Sequence, residues 1–261
     1  MGLTSFLGDE YSYSHEAATR LSAGALRNYD TITEVIKAAV SGECEQAVVP
    51  FENNVEGAVN EVYDALFDSG LYISRQTVLP IRHSLIAEKG VSIDKLKLIL
   101  SHPQAIAQCR RYLTDLPVTV QAVASTSDAL RRAGGTTAAI AYRPREGQEV
   151  LVSGIQDSLL NATRFALLKK TAESEGDKAS ISFDLKNKPG TLLGVLQAIN
   201  ERGVNMTRIL SRPHRTGSGE YRFFVDFDFM DSNEALDSLL KAIEQNCSAF
   251  RFLGRYYCDN K

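Results

Sequence analysis

Up to about residue 170, short runs rich in β-branched and small apolar residues alternate with stretches whose apolar positions recur every three or four residues. "EQAVVPF", "KLKLIL", "VTVQAVA" and "TAAIAY" read as buried strands. Strands that alternate with helical patterns predict a mostly parallel α/β sheet. Beyond residue 178 the rhythm changes. "ASISFDL" alternates apolar and polar positions, a Lys188-Pro189-Gly190 turn follows, and Leu192, Leu193, Val195, Leu196 and Ile199 mark one face of a helix. "VNMTRILS" predicts a strand and "HRTGSGE" a glycine-rich hairpin. In "EYRFFVDFDF" the residues Tyr221, Phe223, Val225, Phe227 and Phe229 share a face. "SNEALDSLLKAIEQN" is an amphipathic helix and "AFRFLGRYY" a closing strand.

The C-terminal order is therefore β-α-β-β-α-β, the ferredoxin-like arrangement. Two helices cover one face of such a sheet, which leaves the other face and the edges for pairing, and side-by-side association is expected. The polar stretch "TAESEGDK" at 171–178 has no periodicity and reads as a linker. The expected organisation is an N-terminal domain over 1–172, a linker over 173–178 and a C-terminal domain over 179–261.

In the N-terminal region three strands run into a polar loop and then a helix. Ser101 precedes a helix with Gln104 three residues on, Ser125 repeats the arrangement with Asp128, and "ENNVEG" at 52–57 follows "AVVPF". Ser101, Ser125 and Asn53 are expected to act at least as caps. Open α/β sheets bind ligands beyond the carboxyl ends of their strands, where helix N-termini favour anions, so a cleft for a small carboxylate or phosphate is expected there.

Charge narrows the choice of partner. With 29 Lys and Arg against 32 Asp and Glu, no broad basic surface for nucleic acid or anionic lipid is implied. No apolar run is long enough to span a membrane and the N-terminus lacks a signal-like pattern, so a cytoplasmic protein is expected. Cys44, Cys109, Cys247 and Cys258 are scattered, and His15, His83, His102 and His214 show no ligand spacing. Free thiols and no metal are expected. The stretch "GIQDSLLNATRFALL" at 154–168 places Thr163 and Arg164 where a strand begins. The threonine could cap a turn and the arginine pair with a surface acid, or the two could serve a site.

The stretches "FLGDEYSYSHEAA", "VVPFENNVEGAVNEVYDAL", "LPIRHSL", "SHPQAIAQC", "STSDAL" and "IQDSLLNATRF", in this order, resemble the prephenate dehydratase family over nearly the whole chain. "NKPGTLLGVL" and "GVNMTRILSRP" look like ligand-binding segments of a regulatory ACT domain. The resemblance implies two α/β lobes of periplasmic-binding-protein type with the active site between them, followed by the ACT domain. It implies a monofunctional carbon-oxygen lyase that converts prephenate to phenylpyruvate with loss of carbon dioxide and water, without a cofactor. Arogenate dehydratase and a non-catalytic sensor of small acids and amino acids are the alternatives.

By the same resemblance Thr163 is the residue on which activity depends, through a hydrogen bond to the leaving hydroxyl. Glu52, Asn53, Ser101 and Gln108 line the cleft, with Ser101, Gln104 and Gln108 on one helical face. Arg164 either holds a substrate carboxylate or ties the two lobes together through an internal acid. His102 is read as structural. Phenylalanine is the expected allosteric inhibitor, bound by Gly190, Leu192, Asn205, Ser211 and Arg212, with Leu210 standing where the family usually has glutamate. A homodimer or homotetramer is expected.

Overall fold

The computed structural model describes residues 2–213 and 221–259. The expected hairpin at 214–220 lies outside the described residues. The first lobe is built from β1 (Thr4–Leu7), α1 (Tyr13–Leu21), β2 (Leu26–Tyr29), α2 (Ile32–Ser41), β3 (Gln46–Asn53), β4 (Gly57–Ala58), α3 (Asn60–Asp68) and β5 (Tyr72–Pro80). The second holds β6 (Ser84–Glu88), β7 (Leu98–Ser101), α4 (Pro103–Gln108), α5 (Arg110–Thr114), β8 (Thr119–Ala122), α6 (Thr126–Arg132), β9 (Thr137–Ala141) and β10 (Gln148–Ser153). The chain then returns to the first lobe as β11 (Ala162–Lys169). The C-terminal domain follows as β12 (Lys178–Leu185), α7 (Thr191–Asn200), β13 (Met206–Pro213), β14 (Tyr221–Asp228), α8 (Asn233–Glu244) and β15 (Ala249–Asp259).

Helix α2 shows how local chemistry sets an element. Thr31 accepts from the Glu34 backbone and Glu34 reaches back to the Thr31 backbone, a capping box. Loss of such a cap costs about 1 kcal/mol. Ile32, Val35, Ile36 and Ala39 form the apolar stripe that buries against the sheet.

The sheets are more mixed than the strand-helix rhythm predicts. β1 runs parallel to β2 and β3, and β7 parallel to β8 and β9. β11, however, enters antiparallel between β3 and β5, and β6 and β10 are antiparallel partners of the second sheet. The cause is topological: a chain that leaves one lobe for the other and comes back must insert its returning strand in the reverse direction.

The C-terminal domain has the expected β-α-β-β-α-β order, with Val195, Ile199, Leu236, Leu239 and Ile243 of its helices packed on Ile181, Phe183, Val225 and Phe227. Its other face is not free. Phe224, Leu253, Tyr256 and Leu210 pack into one cluster with Phe51, Tyr63 and Leu66 of the first lobe. Tyr63 sits between Phe51 and Phe224 with ring centroids 4.4 and 4.9 Å away. Helix α3 supplies this contact because Tyr63, Asp64 and Phe67 share a side, and Arg212 pairs with Asp64 at 2.8 Å while Arg222 lies over the Phe67 ring.

The two domains also share a sheet. β15 pairs with β12 and then continues parallel to β5, so the strand order runs β13-β14-β12-β15-β5-β11-β3-β1-β2. Gly254 makes the bend, with φ +135° and the Ile73 carbonyl where a Cβ would stand. The segment 170–177 contains no helix or strand but is tied down: Glu173 accepts from Ser74 at 2.5 Å and from Lys169 at 2.9 Å.

Candidate active site

The chain crosses between the lobes at 81–83 and 154–161, and Ile81, His83 and Asn161 of these crossings line a cleft of about 560 Å³. Thr163 and Asn53 face one another across the β11–β3 ladder and line the same cleft. Their side chains are the end of a continuous chain of hydrogen bonds. Asn53 Nδ2 donates to Thr163 Oγ1 at 2.9 Å and to Asn161 Oδ1 at 2.8 Å. Asn161 Nδ2 donates to Gln108 Oε1 at 3.0 Å, and the same oxygen meets His83 Nε2 at 2.8 Å.

The direction of this chain follows from its members. Gln108 Oε1 has only lone pairs, so the His83 ring must carry its proton on Nε2. His83 is 5% exposed, and burial lowers its pKa below the ordinary histidine value, which keeps the ring neutral. Asn53 Oδ1 is occupied by the backbone N–H groups of Val55 and Glu56 at 2.9 and 3.1 Å, which fixes its amide with the NH2 toward Thr163. Thr163 Oγ1 therefore accepts from Asn53 and keeps its own proton for whatever occupies the cleft. An oxygen that already accepts a hydrogen bond is a stronger donor.

Three helix N-termini and two carboxylates, Asp9 and Asp30, also line the cleft. The N-terminal residues of α1 (Ser12, Tyr13, Ser14), α4 (His102, Gln104, Ala105) and α6 (Ser125, Thr126, Ser127) all line it. A helix N-terminus carries roughly half a positive charge. Arg131 is the one Lys or Arg among the lining residues, and Asp9 from the other lobe holds it at 2.8 Å. Arg145 joins Asp9 at 3.3 Å, and Tyr13 and Tyr142 pack at 4.2 Å between ring centroids, so the lobes also touch beside the cleft.

The family model for prephenate dehydratase matches residues 4–173, and that for the ACT domain matches residues 179–247. The chain belongs to the prephenate dehydratase family. It is 36% identical over 222 residues to the prephenate dehydratase of Methanocaldococcus jannaschii, covering 80% of each chain. It is 32% identical over 278 residues to arogenate dehydratase/prephenate dehydratase 2 of Arabidopsis thaliana, covering 97% of this chain and 72% of the relative. Among solved structures, the prephenate dehydratase of Arthrobacter aurescens in complex with L-Phe superposes with a TM-score of 0.87 at 28% identity, over 98% of this chain and 90% of that one.

Against the sequence expectations for a member of this family, the structure brings Thr163, Asn53 and Gln108 together and sends Glu52 and Arg164 elsewhere. Neighbours on a strand point to opposite faces, so Thr163 in the cleft puts Arg164 on the far side. There it donates to Glu52 and to Asp226 of the ACT domain, each at 2.9 Å, so it meets internal acids and not a carboxylate in the cleft, but it ties the first lobe to the ACT domain and not lobe to lobe. Burial works against the Arg164 charge, and Asp226, Tyr256 and Glu52 outweigh it, so the guanidinium pKa is raised.

Glu52 follows Arg164 because of a bulge. The β3–β11 register slips between Arg164 and Phe165 at Pro50, which has no N–H to give the ladder. Strict alternation from Pro50, which lines the cleft, would have put Glu52 there and Asn53 away. With the bulge, Phe51 and Glu52 both face away and Asn53 faces in.

Ser101 is corrected too. It ends strand β7, fully buried, with its hydroxyl donated to the Ile140 carbonyl at 2.7 Å, and it is on no helical face with Gln108. His102 takes its place as the α4 cap, accepting from Gln104 N, and Gln104 lines the cleft. Ser125 caps α6 as expected. Asn53 caps the 53–56 turn, not a helix; α3 has no side-chain cap.

The residues the sequence reading missed are His83 and Asn161. Asn161 stands two before Thr163, the spacing that gives residues of a strand the same face, and that was the available signal. For His83 there was none beyond its place in "LPIRHSL".

In the ACT domain Gly190 and Leu192 line a hollow of about 220 Å³ with Thr191, Tyr221 and Phe223. Asn205 is instead bonded to Asp228 at 3.1 Å and Arg212 faces Asp64, while Ser211 is exposed on β13 away from that hollow's lining. Leu210 packs toward the catalytic domain, so its apolar character serves the domain contact. The four cysteines are free, no group of three or more metal-ligating side chains occurs among the described residues, and no described helix is long and apolar enough to cross a membrane.

Proposed function

We propose that the chain dehydrates prephenate to phenylpyruvate, with Thr163 as the catalytic hydrogen-bond donor. The observation that carries this is the hydrogen-bond chain from His83 to Thr163, which makes Thr163 Oγ1 an acceptor from Asn53 and so leaves its own hydroxyl proton available to a cleft lined by three helix N-termini. In the reaction the ring carboxylate leaves as carbon dioxide. The electrons of that C–C bond pass through the ring and expel the hydroxyl at the opposite carbon. One proton converts the departing hydroxide to water, so prephenate dianion and a proton give phenylpyruvate monoanion, carbon dioxide and water. Aromatisation drives the step, and the protein has to hold two carboxylates and stabilise the leaving oxygen.

Thr163 donates to that oxygen as charge grows on it. Asn53 holds Thr163 from behind, and Asn161, Gln108 and His83 hold Asn53. The N-termini of α1, α4 and α6 serve the carboxylates. A second reading, arogenate as substrate, is favoured by the Arabidopsis relative's name and by Asp30, a cleft-lining carboxylate suited to the ammonium that arogenate carries in place of a keto group.

The ACT domain is inferred to bind phenylalanine and to inhibit turnover. The L-Phe complex of the Arthrobacter relative and the hollow beside Gly190 support this. Gly190, at φ +86°, lets the backbone approach a ligand. Assembly into dimers or tetramers is supported by the edge of β13, which has no partner on that side among the described residues, and by exposed Ile209, Leu193 and Tyr221. The test is turnover of both substrates by purified protein without added cofactor, with and without phenylalanine. Rates on prephenate and arogenate no higher than the spontaneous reaction would refute the enzyme assignment.

A further inference from the structure

Directly behind the catalytic pair lies a second pair, facing the other way. Glu52 and Arg164 stand opposite one another in the β3–β11 register, each one residue from Asn53 or Thr163. Both continue into the ACT domain. Arg164 donates to Asp226 on β14 at 2.9 Å, and Arg208 on β13 donates to Glu52 at 3.1 Å and to the Tyr63 hydroxyl. Asp226 is fixed in turn by the Ser180 hydroxyl at 2.6 Å, which meets the Tyr256 hydroxyl at 2.7 Å.

Two cations and two anions thus form a balanced, largely enclosed set, with side-chain exposures of 16% for Arg164, 4% for Asp226, 13% for Arg208 and 30% for Glu52. Two of its four members belong to each domain. β14 carries Tyr221 and Phe223 in the wall of the hollow beside Gly190, and Asp226 three residues further along. One strand therefore touches both the hollow and the back of the catalytic strands.

We propose that Asp226 and Arg208 are positioning residues for the dehydration: they hold Glu52 and Arg164, and through them the bulged register that sets Asn53 against Thr163. The same contacts make the arrangement of the ACT sheet felt in the cleft. An effector that favours one arrangement of β13 and β14 changes the pull on Glu52 and Arg164, which is a coupling free energy between the two sites. The inference rests on the reading of the chain as a phenylalanine-regulated dehydratase.

The experiment compares full-length wild type with Asp226→Asn, Arg208→Lys and Arg251→Gln. Arg251 is a docking control: it ties the ACT domain to the Phe67 and Leu71 carbonyls of the first lobe, away from Glu52 and Arg164. Turnover, inhibition by phenylalanine and calorimetric binding of phenylalanine are measured on each, with melting temperatures alongside. Asp226→Asn is expected to lower kcat by at least about tenfold with KM little changed, since a misplacement of about 1 Å can cost about a hundredfold. It is also expected to bind phenylalanine as wild type does while losing most of the inhibition.

Arg208→Lys keeps the charge without the fork, so it retains a larger share of both. It carries the same test if Asp226→Asn does not fold. Arg251→Gln is expected to lower the melting temperature and leave kcat and inhibition unchanged. Wild-type kcat and inhibition in the Asp226 and Arg208 variants, or an equal loss in Arg251→Gln, overturns the inference while the dehydratase reading stands. A wild type that turns over but neither binds nor responds to phenylalanine refutes the regulatory half and leaves kcat of the variants to decide the other. A wild type without turnover refutes the functional reading and this inference together.

Discussion

Replacing Thr163 by valine removes the proposed donor, together with the oxygen that accepts from Asn53, and keeps the side chain's shape. Valine has the shape of threonine, so the site, 8% exposed in the folded chain, keeps its packing. Asn53 Nδ2 keeps one of its two hydrogens on Asn161 Oδ1 at 2.8 Å and loses the partner of the other, at 2.9 Å in the wild type. The stability cost is then that of one donor left without its partner, about 1 to 3 kcal/mol. The catalytic cost is larger, because the hydroxyl acts where charge develops: loss of one such donor costs about 2.7 to 4 kcal/mol, or about 100- to 1000-fold in kcat. Thr163→Ser keeps the hydroxyl and the bond from Asn53, and is expected to retain a substantial part of the rate. The assay is formation of phenylpyruvate from prephenate at saturating substrate for the three proteins, with thermal melts to show that each is folded. KM should move little, since the interaction is made chiefly in the transition state. A folded valine variant with kcat within about threefold of wild type, under 1 kcal/mol of lost stabilisation, would refute the assignment of Thr163 as donor.

Asn161→Asp replaces the donor to Gln108 Oε1 with a second acceptor, so Gln108 must turn and the bond to His83 is lost; kcat is expected to fall at least about tenfold, with KM raised by the new charge facing a dianion. His83 ties stability to pH. Its folded pKa lies below the unfolded value near 6.5, so the folded chain resists a proton that the unfolded chain takes up. This contribution is present above about pH 6.5 and is lost as pH falls through that value toward the folded pKa; the drop in melting temperature between pH 7.5 and 5.5 should shrink in His83→Gln, and an unchanged drop would count against a buried neutral ring. Gly254→Ala places a Cβ 2.3 Å from the Ile73 carbonyl at φ +135°, and is expected to cost at least about 2 kcal/mol, read as a lowered melting temperature.

What the sequence made legible was periodicity, and what it hid was the one place where periodicity breaks. The named strands and helices, the β-α-β-β-α-β order and the cap at Ser125 follow from alternation, helical stripes and local hydrogen bonding, and the structure has them, except that β8, expected to be buried, is an exposed edge strand and Leu193, expected on the apolar face of α7, is exposed. Thr163 and Arg164 were adjacent, and alternation alone forbids both from serving one cleft; that rule, applied at the outset, would have sent Arg164 to an internal acid. Applied equally to β3 it would have failed, because Pro50 makes the strand slip by one residue and exchanges Glu52 for Asn53 on the cleft face. No local propensity encodes that slip with certainty, since a proline in a strand is compatible with an edge position as well as with a bulge. The docking of the ACT sheet was hidden for a different reason. Phe224 lies on the opposite face of β14 from Phe223 and Val225, and a second buried face announces a partner without saying which; only Tyr63, Asp64 and Phe67 on one side of α3 supply it. The slip at Pro50 and the docking of α3 meet at the same spot. A β3 without the bulge would turn Glu52 into the cleft, leave Arg208 without its acid, and take Asn53 away from Thr163, so the irregularity that sets Asn53 against Thr163 is also the one that attaches β3 to the ACT domain.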